Sequence, residues 1–495
     1  MAELNKEYST FGTQIGYIIG ANVVGFLLGF ISLPILTKGL GVQLYGTYSL
    51  VQTTISLISP IAALGFSTAL VRFLAGEKDQ SKIRDSFFSP YCVMIVSGIV
   101  FSLLLFLSSE QLAKLIFGDI NLAIYIKLAS AVVLLNPIGG LSLAFFRAFR
   151  RIELYTVLSL AKSACQVGLI ILAILLGFQL IGVIIAIVLT AIIFDLVTLF
   201  IIVKQIGIQR PRFTNMKPYL RFGVPLTPNL AIAWIINSSD RYMISYFMGV
   251  TATGIYSAAY GLASYASFIL APLQTVLFPT VTKSYTENNL EETRKYLKYS
   301  FKYFMMVAIP SAFGLSILAK PMLQILTTSA FISGNIIIPF VALGAILYSI
   351  FQISVNIIYL VNRTKLIVKL LSVSAALNIV LNLVLIPRIG IMGAAVATLI
   401  AYGVLGISTL IMTRRYLKFD LSSPFVLKSL FSSAVMAFSI WLIKPEAITL
   451  TIISIVGGAL IYFAVLILLK GLSKEELSFF VNFARDNIKR VTGIT

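Results

Sequence analysis

Charge is scarce in this chain of 495 residues: Asp, Glu, Lys and Arg make up 11% of it, and histidine is absent. A water-soluble domain carries roughly 25% charged residues. A soluble fold of this length would therefore lack the polar surface it must show to water. Without histidine the commonest acid–base group and metal ligand is gone. No Gly-rich loop ending in G-K-[ST] occurs either, which excludes ATP hydrolysis by that route. No metal and no cofactor is expected. The two cysteines, Cys92 and Cys165, both fall in apolar runs, so two free thiols are expected and no disulfide framework.

What is present is apolar: hydrophobic residues make up 59% of the chain. A bilayer core takes spans of about 20 apolar residues, and such runs recur throughout, leaving no stretch for a separate soluble domain. Helices satisfy every backbone polar group internally. The fold class is therefore all-α, a polytopic membrane protein of about 14 transmembrane helices. Spans are predicted near 12–37, 45–71, 87–108, 122–146, 154–176, 180–203, 223–248, 253–282, 300–319, 336–361, 366–386, 391–413, 425–443 and 448–469. The first run leads into Pro34-Ile-Leu-Thr-Lys38 rather than a small-residue cleavage site, so it reads as a span and not as a removable signal.

The charges that do occur are mostly basic, giving a formal net charge of +20. With the N-terminus inside, 30 of the 38 Lys and Arg residues fall in the terminal segments and in the loops after even-numbered spans. Only 5 fall at the opposite end, namely Lys38, Lys114, Lys320, Arg388 and Lys444, while Lys127, Lys162 and Arg241 lie within spans. Basic residues gather in cytoplasmic loops. Both termini are thus expected in the cytoplasm and the chain in the cell membrane, with no nucleic-acid partner. After the last span, Ser473 and Glu476 form a capping-box pattern, and Leu477, Phe480, Val481, Ala484 and Ile488 follow at helical spacing. This predicts an amphipathic helix, lying on the inner leaflet or packed on the cytoplasmic loops.

Two segments repeat. Gly41-Val-Gln-Leu-Tyr-Gly46-Thr-Tyr48-Ser49 and Gly249-Val-Thr-Ala-Thr-Gly254-Ile-Tyr256-Ser257 share G-V-x-x-x-G-x-Y-S at an offset of 208. Gly182 with Ala186 and Gly393 with Ala397 echo one another at an offset of 211. A duplicated six-helix unit follows, and because six is even the two copies lie parallel. Transporters built this way bind substrate between the halves and alternate access. The expected organisation is a lobe over 1–205, a cytoplasmic linker over 206–222, a second lobe over 223–415, two further helices over 416–472 and a cytoplasmic tail over 473–495.

Three motifs carry a family resemblance across essentially the whole chain. Leu33-Pro-Ile-Leu-Thr-Lys-Gly-Leu-Gly41 with Tyr45-Gly-Thr-Tyr48 resembles the first-helix signature of polysaccharide flippases. Arg221-Phe-Gly-Val-Pro-Leu-Thr-Pro-Asn229, with Asn237-Ser-Ser-Asp-Arg-Tyr242 and Gly254-Ile-Tyr-Ser-Ala-Ala-Tyr260, is similar to their seventh. Leu377-Asn-Ile-Val-Leu-Asn-Leu-Val-Leu-Ile-Pro387 and Gly390-Ile-Met-Gly-Ala-Ala-Val-Ala-Thr398 resemble their eleventh and twelfth. The family is the O-antigen and exopolysaccharide flippase branch of the multidrug/oligosaccharidyl-lipid/polysaccharide exporter superfamily. The resemblance implies a V-shaped bundle of two six-helix lobes that exports an undecaprenyl- or dolichyl-linked oligosaccharide. It also implies that the last two helices border the lipid tail, as in related lipid II flippases.

Ionisable groups inside spans are functional candidates, since each is costly unless paired or hydrated. Lys162 and Asp195 both sit about 13 Å from the inner face at 1.5 Å per residue, and are read as a buried pair or as a coupling site. Asp240 and Arg241 are adjacent and diverge by about 100° around the helix, so they are expected to find other partners. Arg241 has the planar donors that suit a diphosphate. Lys127 is close enough to the outer end to snorkel. Arg147, Arg150 and Arg151 are loop cations that could also attract a diphosphate at the inner mouth. Asn22, Asn229, Asn237, Asn356, Asn378 and Asn382 can meet sugar hydroxyls or bridge helices. Pro34, Pro225, Pro228, Pro272, Pro310 and Pro339 are expected to kink their helices.

The expected work is flipping a polyprenyl-diphosphate-linked oligosaccharide outward by alternating access, with Arg241, Arg147, Arg150, Asn22, Asn229 and Asn237 as substrate contacts. A proton or sodium ion is a candidate coupling partner, and polysaccharide-assembly proteins are candidate neighbours. A membrane glycosyltransferase or polymerase would need carboxylates or a metal on a long outer loop. The longest one here, about Lys320 to Asn335, has no acid. A drug-cation antiporter should favour acids in its cavity, whereas Asp195 and Asp240 are matched by Lys162 and Arg241. A lipid II flippase would suit fourteen helices equally well.

Overall fold

The computed structural model describes residues 2–214, 216–476 and 478, with side chains from Gly20 onward. Every regular element among them is helical. Eleven helices are long and apolar enough to cross a bilayer, or twelve if the bent pair Met216–Ser267 and Leu270–Thr286 counts as one. Two of these units are too long for one crossing. Helix Ala2–Ala62 has 61 residues and would measure about 90 Å unbroken. It leaves helical geometry at Gly41 (φ 71°, ψ 176°), and Thr227–Ser264 does the same at Gly249 (φ 85°, ψ 172°). Positive φ is open to glycine at no steric cost. Divided at these two glycines, the chain crosses fourteen times, and the spans are numbered here one to fourteen.

The helix ends outrun the apolar runs. The ninth span is Leu290–Ile317, ten residues longer at its start than hydropathy predicts. The Asn289 side chain accepts from the Glu292 N–H at 3.1 Å, capping a first turn that carries Glu291 and Glu292. Acids favour that position, but an apolar window cannot see it. The expected loop from Lys320 to Asn335 is largely helical, as Ala319–Leu326 followed by the 3-10 helix Ser329–Ile337. Two of the prolines expected to kink helices fall at breaks: Pro225 lies in the 3-10 turn Val224–Leu226, and Pro272 sits just past the 42° bend between Met216–Ser267 and Leu270–Thr286. Pro34 and Pro310 lie inside helices that continue past them, and Pro339 opens Ile338–Leu360, where its missing N–H costs nothing. The chain also takes positive φ at Gly41, Gly65 and Gly249.

Packing buries many small and polar side chains alongside an apolar core and leaves many large apolar ones facing outward. Thr190, Ser349, Asn378 and Asn382 are fully buried, whereas Leu104, Leu175, Leu196, Phe200, Ile453 and Leu460 are exposed. Lipid is as apolar as leucine, so close approach of small residues and interhelical hydrogen bonds hold such bundles together. Asn382 donates to Asn378 Oδ1 (2.9 Å), Asn378 reaches Thr398 Oγ1 (3.4 Å), and Asn356 donates to Gln274 Oε1 (3.1 Å). Asn378 and Asn356 thus bridge helices, while Asn382 supports Asn378 from the next turn of the same helix. Span thirteen, Ser423–Ile443, packs on span nine, and span fourteen, Ile448–Leu468, packs on thirteen. Tyr462 of span fourteen donates to the Met306 carbonyl of span nine at 2.9 Å.

The capping box forms as expected: the Ser473 N–H donates to Glu476 Oε2 (2.8 Å) and the Glu476 N–H to Ser473 Oγ (3.1 Å). The amphipathic helix expected beyond it, with Leu477 and residues from Phe480 on, lies outside the described residues. Lys302 Nζ contacts both oxygens of Glu476, at 2.6 and 2.7 Å, pinning the start of the tail to span nine. Burial pushes the Glu476 carboxyl up, but the Lys302 and Ser473 hydrogen bonds outweigh it and hold the pKa below 4.5. A depressed pKa gives stability that is complete above the unfolded value and is lost as pH falls through the folded one. Glu476→Gln should therefore cost roughly 2 kcal/mol at neutral pH. Its melting difference from wild type should shrink below pH 4.5, and a difference constant with pH would contradict the pairing.

Candidate functional site

The two copies of G-V-x-x-x-G-x-Y-S meet each other. A Cβ on Gly46 would lie 2.1 Å from the Val250 carbonyl oxygen, and one on Gly254 would lie 2.3 Å from that of Val42. Only glycine permits this approach, and its reciprocity is what a two-fold relation requires. Ser49 Oγ donates to Ser257 Oγ at 2.6 Å between the same two segments. The contact continues along spans two and seven. Tyr242 and Thr54 share a hydrogen bond of 2.7 Å, and Trp234 Nε1 donates to the Thr53 carbonyl (3.1 Å) and to Ser56 Oγ (3.0 Å). Towards the other end, Gly223 and Gly65 meet backbone to backbone, and Arg72 lies 4.6 Å from the Phe222 ring centroid. The first six spans and the next six thus share a seam closed along spans two, seven and eight.

Beside the seam lies the charged cluster of span seven. Asp240 is 1% exposed. Its Oδ2 accepts from the Tyr256 hydroxyl at 2.5 Å, and its Oδ1 accepts from the Arg241 N–H (2.9 Å) and from Arg241 Nη1 (3.3 Å). The expectation that these neighbours cannot pair is wrong. The long arginine side chain curls back towards its own helix, where Nη1 also donates to the Asn237 carbonyl at 3.0 Å. The guanidinium stands 4.7 Å from the Tyr260 ring centroid, and Tyr260 and Tyr402 share a 3.3 Å hydrogen bond. Tyr402 donates to Asn237 Oδ1 at 2.5 Å. The tyrosine cage escapes a reading of the sequence, although Tyr256 belongs to the repeated motif and Tyr260 follows it one turn later.

The other candidates are dispersed. Lys162 Nζ is 4.0 Å from Asp195 Oδ1, beside Gly139 of span four, where a Cβ would lie 2.3 Å from that oxygen. Asp195 Oδ2 is buried with no hydrogen-bond partner among the described residues. Lys127 is ion-paired with Glu110 at 2.7 Å rather than reaching out alone. Arg147 is exposed, 5.5 Å from the Tyr155 ring centroid, and Arg150 is exposed in the adjoining turn at φ 55°. Asn22 and Asn229 are half-buried and neither is bonded to Arg241 or Asn237.

An apolar groove of about 500 Å³ opens on the far side of spans one and eight. Phe26, Phe30, Tyr265 and Phe268 form one wall, Met306 to Leu318 of span nine the floor, and Met436, Ile440, Ile455, Tyr462 and Phe463 of spans thirteen and fourteen the other wall. Spans thirteen and fourteen are thus part of a cavity, not an inert appendix.

Two parallel-running halves, a two-fold seam and intramembrane charges beside it define a polytopic membrane transporter. The chain belongs to the polysaccharide biosynthesis protein family, whose profile matches residues 11–285, and the MatE profile matches residues 225–384. Both place it in the exporter superfamily that the sequence motifs indicate. A probable low-salt glycan biosynthesis flippase, Agl15 of Haloferax volcanii, is 22% identical over 78% of this chain and 79% of its own. The succinoglycan biosynthesis transport protein ExoT of Rhizobium meliloti is 24% identical over 64% of this chain and 62% of its own. A lipid II flippase MurJ structure in an inward closed conformation superposes with a TM-score of 0.77 at 18% identity, over 91% of this chain and 98% of its own.

Proposed function

We propose that this protein flips a polyprenyl-diphosphate-linked oligosaccharide from the cytoplasmic to the outer leaflet for cell-surface glycan biosynthesis. The observation that carries the reading is the apolar groove walled by spans thirteen and fourteen. A small soluble solute has no use for a lipid-like trough beside a charged seam, whereas a prenyl tail fits one. The glycan flippases among its relatives support the same substrate class. The imbalance of 30 basic residues against 5 supports cytoplasmic termini. Diphosphate is held by Arg241, because its side-chain hydrogen bonds to the described residues all use Nη1 and leave Nη2 and Nε to donate. Arg147 and Arg150 attract the headgroup at the inner mouth, and Asn237 orients Arg241 through its backbone carbonyl, which accepts from Nη1. Asn22 and Asn229 are the remaining sugar contacts. Lys162 and Asp195 form the ion pair through which a proton or sodium ion couples to the cycle. The work is transport rather than catalysis.

The test is translocation of a fluorescent polyprenyl-diphosphate oligosaccharide in proteoliposomes. Arg241→Lys, which retains the charge but not the planar fork, should slow it at least tenfold at unchanged melting temperature. Wild-type vesicles that flip no such lipid while extruding organic cations would move the protein to the drug-antiporter branch.

A further inference from the structure

Three of the five cations at the sparsely charged end of the bundle converge on one cavity. Lys38 closes span one, Lys320 opens the helix Ala319–Leu326, and Lys444 follows span thirteen. They line a space of about 860 Å³ together with Gln324, Trp441 and Glu446. Membrane topology depletes this end of basic residues, so their convergence from three separate elements is not a by-product of orientation. Among the described residues none of the three forms a salt bridge; Lys38 Nζ donates to the Ile325 carbonyl at 2.7 Å. Glu446 is the single acid at the wall, so the cavity keeps an excess of positive charge. Like charges gathered this way repel unless an anion lies among them.

The cavity also has a neighbour. Ile440 lines both this space and the apolar groove, and Ile317 and Leu318 of the ninth span's end divide between the two. A cationic chamber and a lipid-like trough therefore lie end to end along spans nine, thirteen and fourteen. We propose that the chamber is an outer-leaflet docking site for the diphosphate of a polyprenyl-linked lipid, with its tail in the groove. It receives the headgroup once the seam has delivered it and is separate from Arg241. This rests on the flippase reading and adds a site to it. Lysine ammoniums, as mobile point charges, suit a diphosphate that must also leave.

The chain has two tryptophans, and Trp441 lies in this wall. In full-length Trp234→Phe protein in detergent, Trp441 is the sole tryptophan donor to farnesyl diphosphate bearing a dansyl group. Saturable energy transfer is expected, with Kd raised at least tenfold by Lys38→Gln, Lys320→Gln and Lys444→Gln together. Lys320→Gln alone should raise it about threefold, which covers a triple variant that melts early. An unchanged Kd, no transfer, or displacement by phosphatidylglycerol as readily as by farnesyl diphosphate overturns the site. Binding lost in the triple variant while wild type flips no lipid-linked glycan would keep the site and end the flippase reading. Flipping by wild type with binding unchanged in the triple variant would do the reverse.

Discussion

Oxidising a Ser49→Cys/Ser257→Cys variant should abolish flipping, and reductant should restore it. The two hydroxyl oxygens are 2.6 Å apart across the seam, close to the roughly 2.05 Å that a disulfide needs. One turn before this pair the chains are held by the reciprocal contact of Gly46 and Gly254, where added side chains would strike backbone oxygen. In alternating access this end of the seam must part to let a headgroup out, and a covalent bond placed here forbids that. The two native thiols, Cys92 and Cys165, are replaced by alanine first so that only the new pair can close. Each single cysteine variant should be indifferent to oxidant. Undiminished flipping in fully cross-linked vesicles would mean that the halves never separate at this point. The rocking mechanism would then have to be given up.

Much of this seam is legible in the sequence itself. The repeat at an offset of 208 identifies the segments that meet, because a duplicated unit around a two-fold axis brings equivalent positions together there. Gly41 and Gly249 take nearly the same positive-φ conformation, as equivalent residues should. Hydropathy locates the spans because the bilayer sets their length. It fails at their ends, where Asp79 and Asn289 cap helical turns too charged to register. The linker shows a similar blind spot. Asp85 accepts from the Arg212 N–H at 2.8 Å, and Ser89 from the Phe213 N–H at 3.0 Å. A segment that reads as a tether is thus docked on span three through two side chains that no linear pattern relates to it.

The charged cluster is half legible. Asp240 and Arg241 stand out because ionised groups are rare in a membrane core. Their partners do not, since Tyr256, Tyr260 and Tyr402 come from spans eight and twelve and no linear pattern relates them to a buried carboxylate. The angular argument against an Asp240–Arg241 pair considers Cβ directions alone. An arginine is long enough to return to its own helix, and a buried carboxylate rewards it for doing so. The groove is invisible for a related reason: a trough made by five spans has no signature in any one of them.

Arg241→Ala should destabilise the protein by roughly 3–5 kcal/mol, the usual result of stranding one member of a buried ion pair. Asp240 is 1% exposed, so without the guanidinium its charge has only the Tyr256 hydroxyl and the Arg241 backbone N–H for compensation. Adding Asp240→Asn to Arg241→Ala should recover most of that loss, because the carboxylate is removed along with its partner. Melting of the two single variants and the double variant measures this coupling directly. Transport should separate from stability across the same set. The double variant should be nearly as stable as wild type yet flip at a tenth of the rate or less, since the free donors of Arg241 are gone. A double variant that flips normally would leave the pair as a structural strut, and the diphosphate would have to be held by other cations. Melting losses that simply add would mean instead that Asp240 is not paired with Arg241 in the folded protein.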